Sequence, residues 1–93
     1  MQIDYSTHLR KRLLLRGIEY ELPGRIFTQS KERYIDNETG HFIATMEIQL
    51  YNKAREVMIA YVIEDNVVKI LTIHPLKERQ KENRLQSGRW RKL

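Results

Sequence analysis

The chain contains no cysteine, which excludes disulfide frameworks, thiolate zinc sites and cysteine nucleophiles together, and makes a reducing, cytoplasmic compartment the expectation. It has only four glycines, and none of them builds a loop able to cradle the phosphates of a nucleotide. The longest apolar run, Val57 to Ile63, is seven residues, far below the roughly 20 that a spanning helix needs. No leading apolar segment resembles a signal peptide, so no membrane attachment is expected. His8, His41 and His74 lack paired metal-ligand spacing, and no nucleophile elbow surrounds Ser6, Ser30 or Ser87. Neither a metal, nor another cofactor, nor a serine triad is expected.

What is present is a foldable chain with a lopsided charge. Leu, Ile, Val and Phe number 26 of 93 residues, enough for one core, and the length suits one domain over residues 1–93. Residues 1–75 carry ten basic and ten acidic side chains, so the net charge of +5 lies entirely in the last eighteen positions. There Lys77, Arg79, Lys81, Arg84, Arg89, Arg91 and Lys92 face only Glu78 and Glu82. A second cluster, Arg10, Lys11, Arg12 and Arg16, has no acid between Tyr5 and Ile18. Two basic segments on a small domain point to a polyanion, because each phosphate neutralised releases condensed counterions. Trp90, between Arg89 and Arg91, can stack on a base or peg the C-terminal segment to the core, and the peg is the first reading.

Periodicity predicts the elements. Ser6 or Thr7 caps a helix over about His8 to Arg16, with Gly17 as its left-handed stop. Leu9 and Leu13 share one face of it, while Leu14 and Leu15 point elsewhere, which predicts that this helix touches protein on more than one side. Pro23 suits the first turn of a second helix to about Ser30. From Arg33 the period becomes two: strands Arg33–Asp36, His41–Tyr51, Glu56–Ile63 and Val67–His74, separated by turn chemistry. The long strand puts Phe42, Ala44, Met46, Ile48 and Leu50 on an apolar face. It puts His41, Ile43, Thr45, Glu47, Gln49 and Tyr51 on a face open to water or a ligand. The expected fold is α+β: one or two N-terminal helices on a four-stranded antiparallel meander sheet, followed by a basic C-terminal segment over 76–93.

With phosphate loops and metals absent, the chemistry open to this composition is metal-free RNA cleavage. The substrate's own 2′-hydroxyl is then the nucleophile, and the protein needs only a base, an acid and cations. Glu47 could serve as base, His74 or His41 as acid, Arg89, Arg84 or Arg55 as phosphate clamps, and Tyr51 as stacking ring or proton donor. The stripe His8, Arg12, Arg16 on the first helix could form a phosphate-binding edge. The candidate RNA contacts are therefore Arg12, Arg16, Arg55, Lys77, Arg79, Lys81, Arg84, Trp90, Arg91 and Lys92.

The segments Ser6-Thr7-His8…Arg12…Arg16-Gly17-Ile18, Tyr34-Ile35-Asp36…Gly40-His41, Leu71-Thr72-Ile73-His74-Pro75-Leu76 and Asn83-Arg84…Ser87-Gly88-Arg89-Trp90 resemble a group of small microbial proteins related in fold to the RelE/BrnT-like toxins of toxin–antitoxin systems. The resemblance implies a helix-then-meander fold and an endoribonuclease acting on messenger RNA, neutralised by an acidic antitoxin bound across its basic surface. The alternative is a non-catalytic RNA-binding or protein-interaction module of the same fold.

Overall fold

In the computed structural model, which describes residues 1–93, the first strand is β1 (Gln2–Tyr5) and Ser6 then turns the chain into helix α1 (Thr7–Arg16). Ser6 is extended and its hydroxyl accepts a hydrogen bond from the Leu9 N–H, satisfying one of the amides that a helix start leaves unpaired. Gly17 ends α1 at φ 63, a left-handed conformation that costs glycine nothing. Helix α2 (Leu22–Gln29) carries Pro23 in its first turn. Strands β2 (Glu32–Asp36), β3 (Phe42–Leu50), β4 (Lys53–Glu64) and β5 (Val67–Pro75) follow, then helix α3 (Gln80–Gln86) and strand β6 (Trp90–Lys92). None of the helices is long and apolar enough to cross a membrane.

The sheet corrects the expected architecture. It has six strands in the order β1-β5-β4-β3-β2-β6 and is mixed, because β1 runs parallel to β5 while the other pairs are antiparallel. The meander from β2 to β5 is its centre, and two short strands extend it at both edges. The basic C-terminal segment is not a tail: it forms α3 and then pairs with β2, Trp90 opposite Asp36 and Lys92 opposite Tyr34.

Alternation along the strands sorts two cores. Ala44, Ile48 and Leu50 of β3 join Val57, Ile59 and Tyr61 of β4 beneath Leu9 and Leu13 of α1 and Leu22 and Ile26 of α2. Leu9 and Ile26 are wholly buried there, each contributing roughly 1.5–3 kcal/mol of apolar transfer. The opposite face was expected to be open, yet Ile43 and Thr45 are buried on it. The cover is the C-terminal segment, since Tyr34, Ile43, Met58, Ala60 and Trp90 form a second apolar cluster with Leu76 against it.

A bulge decides what reaches that second face. Ala60 pairs with Thr72 and Tyr61 with Ile70, which leaves Leu71 as an extra residue in β5. Ahead of it Val68 and Ile70 face the helices, and after it Ile73 does so. Unbroken alternation would have sent Thr72 and His74 into the main core. The bulge puts them beside Ala60 and Met58 instead.

Trp90 is only 4% exposed and stacks on Tyr34 with ring centroids 5.5 Å apart, so the peg reading holds and the ring is not free to stack on a base. Trp90→Ala is expected to cost about 3 kcal/mol in urea denaturation, with a fall in Tm on the order of ten degrees. A variant as stable as the parent would show that the C-terminal segment is held by its ion pairs alone.

Candidate nucleotide-binding cavity

A cavity of about 380 Å³ lies between the second face of the sheet and the returning C-terminal segment. Its floor is Ile43, Met58, Ala60, Thr72 and His74; one wall is Leu76, Lys77, Arg84, Arg89 and Trp90, and the rim opposite is Asp36, Thr39 and His41.

Local chemistry ties these walls together. The turn after β2 is built on Asp36, whose Oδ1 accepts from the N–H groups of Glu38 at 2.9 Å and Thr39 at 3.3 Å. Arg89 closes on the same carboxylate, Nη2 to Oδ2 at 3.2 Å, and reaches Glu38 at 3.5 Å. Asn37 fastens the turn to the other wall, its N–H donating to the Arg89 carbonyl and its side chain to the Gly88 carbonyl. Gly88 sits at φ 79, where a side chain would strain the bend between α3 and β6. Burial alone would raise the pKa of Asp36, but the bonds from Arg89, Glu38 and Thr39 outweigh it and hold the carboxyl below its usual range.

On the far side of α3, Lys81 bridges Glu56 at 2.7 Å and Glu32 at 3.1 Å. Its bonds to Glu56 and Glu32 push its pKa well above the usual lysine value against the opposing effect of burial. The Tyr34 hydroxyl donates to Glu32 at 2.8 Å. Burial, then this carboxylate, push the Tyr34 phenol up to about 12. Lys81, expected as an RNA contact, is therefore a clamp on the sheet. Arg89 lines the cavity, but with its charge matched by Asp36. Two cavity cations remain without a salt bridge: Lys77 and Arg84.

His74 is reached from the other layer. Strand β1 pairs with β5 only as far as Ile70, so the edge of β5 is bare beyond it. Residues at and after the start of α1 cover that edge: the Ser6 hydroxyl donates to the Leu71 carbonyl at 3.0 Å, and Arg12 Nε to the Ile73 carbonyl at 2.9 Å. The Arg12 Nη2 continues to His74 Nδ1 at 2.7 Å, while His74 Nε2 lies 3.1 Å from the Thr72 hydroxyl. A guanidinium can only donate, so Nδ1 is the acceptor and the ring proton is on Nε2. Burial, then the charges of Arg12, Arg16 and His8, lower the His74 pKa and favour the neutral ring. A lowered pKa works against the protonated ring that a general acid requires.

The other expected site residues are dispersed. Glu47 shares the sheet face with His74 but is exposed, two strands and two residues away, which amounts to roughly 12 Å. Tyr51, expected on the polar strand face, is instead a turn residue: Tyr51 and Asn52 at φ 55 and 61 form a tight hairpin turn. Its hydroxyl donates to the Arg16 carbonyl on the α1 side of the sheet. Arg55 pairs with Ile48 and belongs to the helix-covered face, away from the cavity. Arg16 lies exposed at the end of α1, and Arg79, Arg91 and Lys92 are exposed outside the cavity. Sequence reading missed Asp36 and Thr72. The turn pattern Asp36-Asn37-Glu38-Thr39-Gly40 could have drawn attention to the first, while the second depends on the bulge.

The contact between Arg12 and His74 has a measurable consequence. The His74 midpoint, followed by NMR of the ring, is expected below the ordinary 6.5, and Arg12→Ala is expected to move it upward. Because the folded midpoint is the lower one, the unfolded chain binds the extra proton. Stability from this group is complete above the unfolded midpoint and is lost as pH falls through the folded one. His74→Gln should flatten the fall in urea midpoint between pH 7 and pH 5. A His74 midpoint indifferent to Arg12 would contradict the assignment.

Comparison with protein-family models, with curated proteins and with solved structures finds no match to this chain.

Proposed function

We propose that the protein binds single-stranded RNA and takes one nucleotide of the strand into the cavity. The observation that carries this reading is the pair Lys77 and Arg84, cations without carboxylate partners standing over an apolar floor of Ile43, Met58 and Ala60. Such a floor accepts the flat face of a base and such cations its phosphate, and the volume is within the ~300–1,000 Å³ range of small-ligand sites. The Thr72 hydroxyl accepts from the His74 Nε2–H and keeps its own proton to donate to a ribose or base edge. Arg79, Arg91 and Lys92 are exposed outside the cavity and offer charge to neighbouring phosphates. A base held in a duplex cannot enter, which favours a single strand.

Cleavage is the second reading, favoured by the placement of His41 and His74 on one cavity with Arg89. It keeps the endoribonuclease activity that the resemblance to RelE/BrnT-like toxins implies. The 2′-hydroxyl would give up its proton to water as its oxygen attacks phosphorus, the bond to the 5′-oxygen would break, and that leaving oxygen would take a proton, giving a 2′,3′-cyclic phosphate and a 5′-hydroxyl without a metal. In this site His41 is the ring free of an arginine contact. His41→Ala is then expected to lower the rate by at least about a hundredfold.

The binding reading predicts that Lys77→Ala/Arg84→Ala lowers the salt-dependence slope for oligouridylate by about 1.4, near 0.7 per lost contact. Lys53→Ala, at the start of β4 and outside the cavity, should leave the slope unchanged. An unaltered slope in the double variant would overturn the proposal. Cyclic-phosphate products in excess chelator, lost with His41→Ala, would establish cleavage in addition.

A further inference from the structure

The hydrogen bonds around the nucleotide cavity run in one direction: the side-chain oxygen and ring-nitrogen acceptors of its lining, His41 excepted, already receive a proton from the protein. Asp36, only 4% exposed, accepts from the Glu38 and Thr39 N–H groups and from Arg89. The Thr39 hydroxyl accepts from the His41 N–H at 3.1 Å. Gln80 takes the Lys77 N–H on Oε1 at 2.9 Å, which leaves its own amide N–H groups without a partner in the protein. Along the floor Arg12 donates to His74 and His74 to Thr72, so the Thr72 hydroxyl is left with a proton to give.

What the cavity offers a ligand is therefore a set of donors: the Thr72 hydroxyl, the Gln80 amide, and the Lys77 and Arg84 cations, which make no salt bridge. The surrounding acids do not offset them. Glu32 and Glu56 are held by Lys81, and Asp36 and Glu38 by Arg89. Glu47, Glu78 and Glu82 are exposed, lie outside the lining and make no salt bridge with Lys77 or Arg84.

Such a set discriminates among the parts of a nucleotide. The N–H groups of a base edge would find His41 as their one unoccupied side-chain acceptor, whereas a phosphate presents acceptors alone. An internal phosphodiester brings one negative charge and two free oxygens. A terminal phosphomonoester brings three oxygens and a charge of about −1.5 to −2 at pH 7, which matches the two cations more closely.

We propose that the cavity recognises a nucleotide by a terminal phosphomonoester, held by Lys77, Arg84, Gln80 and Thr72 with the nucleoside over Ile43, Met58 and Ala60. The inference rests on the reading of the cavity as a nucleotide site and narrows its ligand from any nucleotide of a strand to one that carries an end phosphate. That group has two sources, the end of an RNA strand and a free mononucleotide.

The probes are the dinucleotides UpUp, pUpU and UpU, which carry a 3′-phosphate, a 5′-phosphate and no end phosphate, together with the uridine monophosphates and inorganic phosphate. Each is titrated into the full-length ¹⁵N-labelled protein and followed at the amides of Thr72, Lys77, Gln80 and Arg84 and by the fluorescence of Trp90, the one tryptophan of the chain and part of the cavity wall. One of the two phosphorylated dinucleotides is expected to bind at least about tenfold more tightly than UpU. Gln80→Glu keeps an acceptor for the Lys77 N–H but puts negative charge where the donor stood, and it should bring that ratio close to one. Thr72→Val, equal in shape and without the hydroxyl, should lower the ratio as well. A mononucleotide that binds as tightly as the better dinucleotide assigns the site to free nucleotides, and one that binds more weakly assigns it to strand ends; both results support the inference. Equal affinity for all three dinucleotides, with shifts in the cavity, would overturn it and leave nucleotide binding intact. A ratio untouched by both substitutions, or inorganic phosphate binding as tightly as the dinucleotides, would overturn it equally. Cavity amides unmoved by every nucleotide would overturn the nucleotide reading together with the inference.

Discussion

The stacking of Trp90 on Tyr34 is the contact from which the second half of the molecule follows. A three-residue strand such as β6 makes too few hydrogen bonds with β2 to hold itself on a sheet edge. The indole supplies the missing free energy by burying its ring against Tyr34, Ile43, Met58 and Ala60. With β6 fixed, Arg89 falls against Asp36 and Lys81 between Glu32 and Glu56, and α3, which buries none of its own residues, is held over the sheet by those pairs. The cavity is the space this return encloses. The same return divides a predominantly basic segment into cations that hold the fold and cations left without a carboxylate partner.

The N-terminal layer contributes to the cavity through one side chain. Arg12 starts on the helix that covers the main core, crosses the bare edge of β5 and ends on His74, so a residue of one layer sets the tautomer of a residue serving the other. The edge is bare because β1 is four residues long and stops opposite Ile70. Ser6 serves two elements, capping α1 through the Leu9 N–H and covering the Leu71 carbonyl. Edge protection, helix capping and cavity electrostatics thus meet within one short stretch of chain.

How much of this was legible in the sequence varies with the range of the interaction that decides it. Helix α1, its Ser6 cap and its Gly17 stop are set by neighbours in the chain, and so are the β-hairpins of the meander, where period-two alternation and turn residues agree. Strands β1 and β6 and helix α3 lacked any such signal. Gln2–Tyr5 pairs in parallel with a strand over sixty residues later, and Trp90–Lys92 is three residues with two charges. The site was half legible: His74, Arg84 and Arg89 do line one cavity, whereas α1, expected to touch protein on more than one side, leaves Leu14 and Leu15 in solvent. Whether His74 and Glu47 would meet depended on register: the bulge at Leu71 puts both on one sheet face, but two strands and two residues of separation keep them apart. Which cations are already paired is a tertiary property, invisible in a count of charges.

The central claim is that the cavity, and not the basic surface at large, receives RNA. Chemical-shift mapping of the ¹⁵N-labelled protein with a short oligouridylate tests it most directly. The account predicts saturable shifts concentrated at Thr72, His74, Lys77 and Arg84, with α1 from Leu13 to Arg16 unmoved. Shifts spread evenly over exposed Lys and Arg, or concentrated along α1, would contradict it.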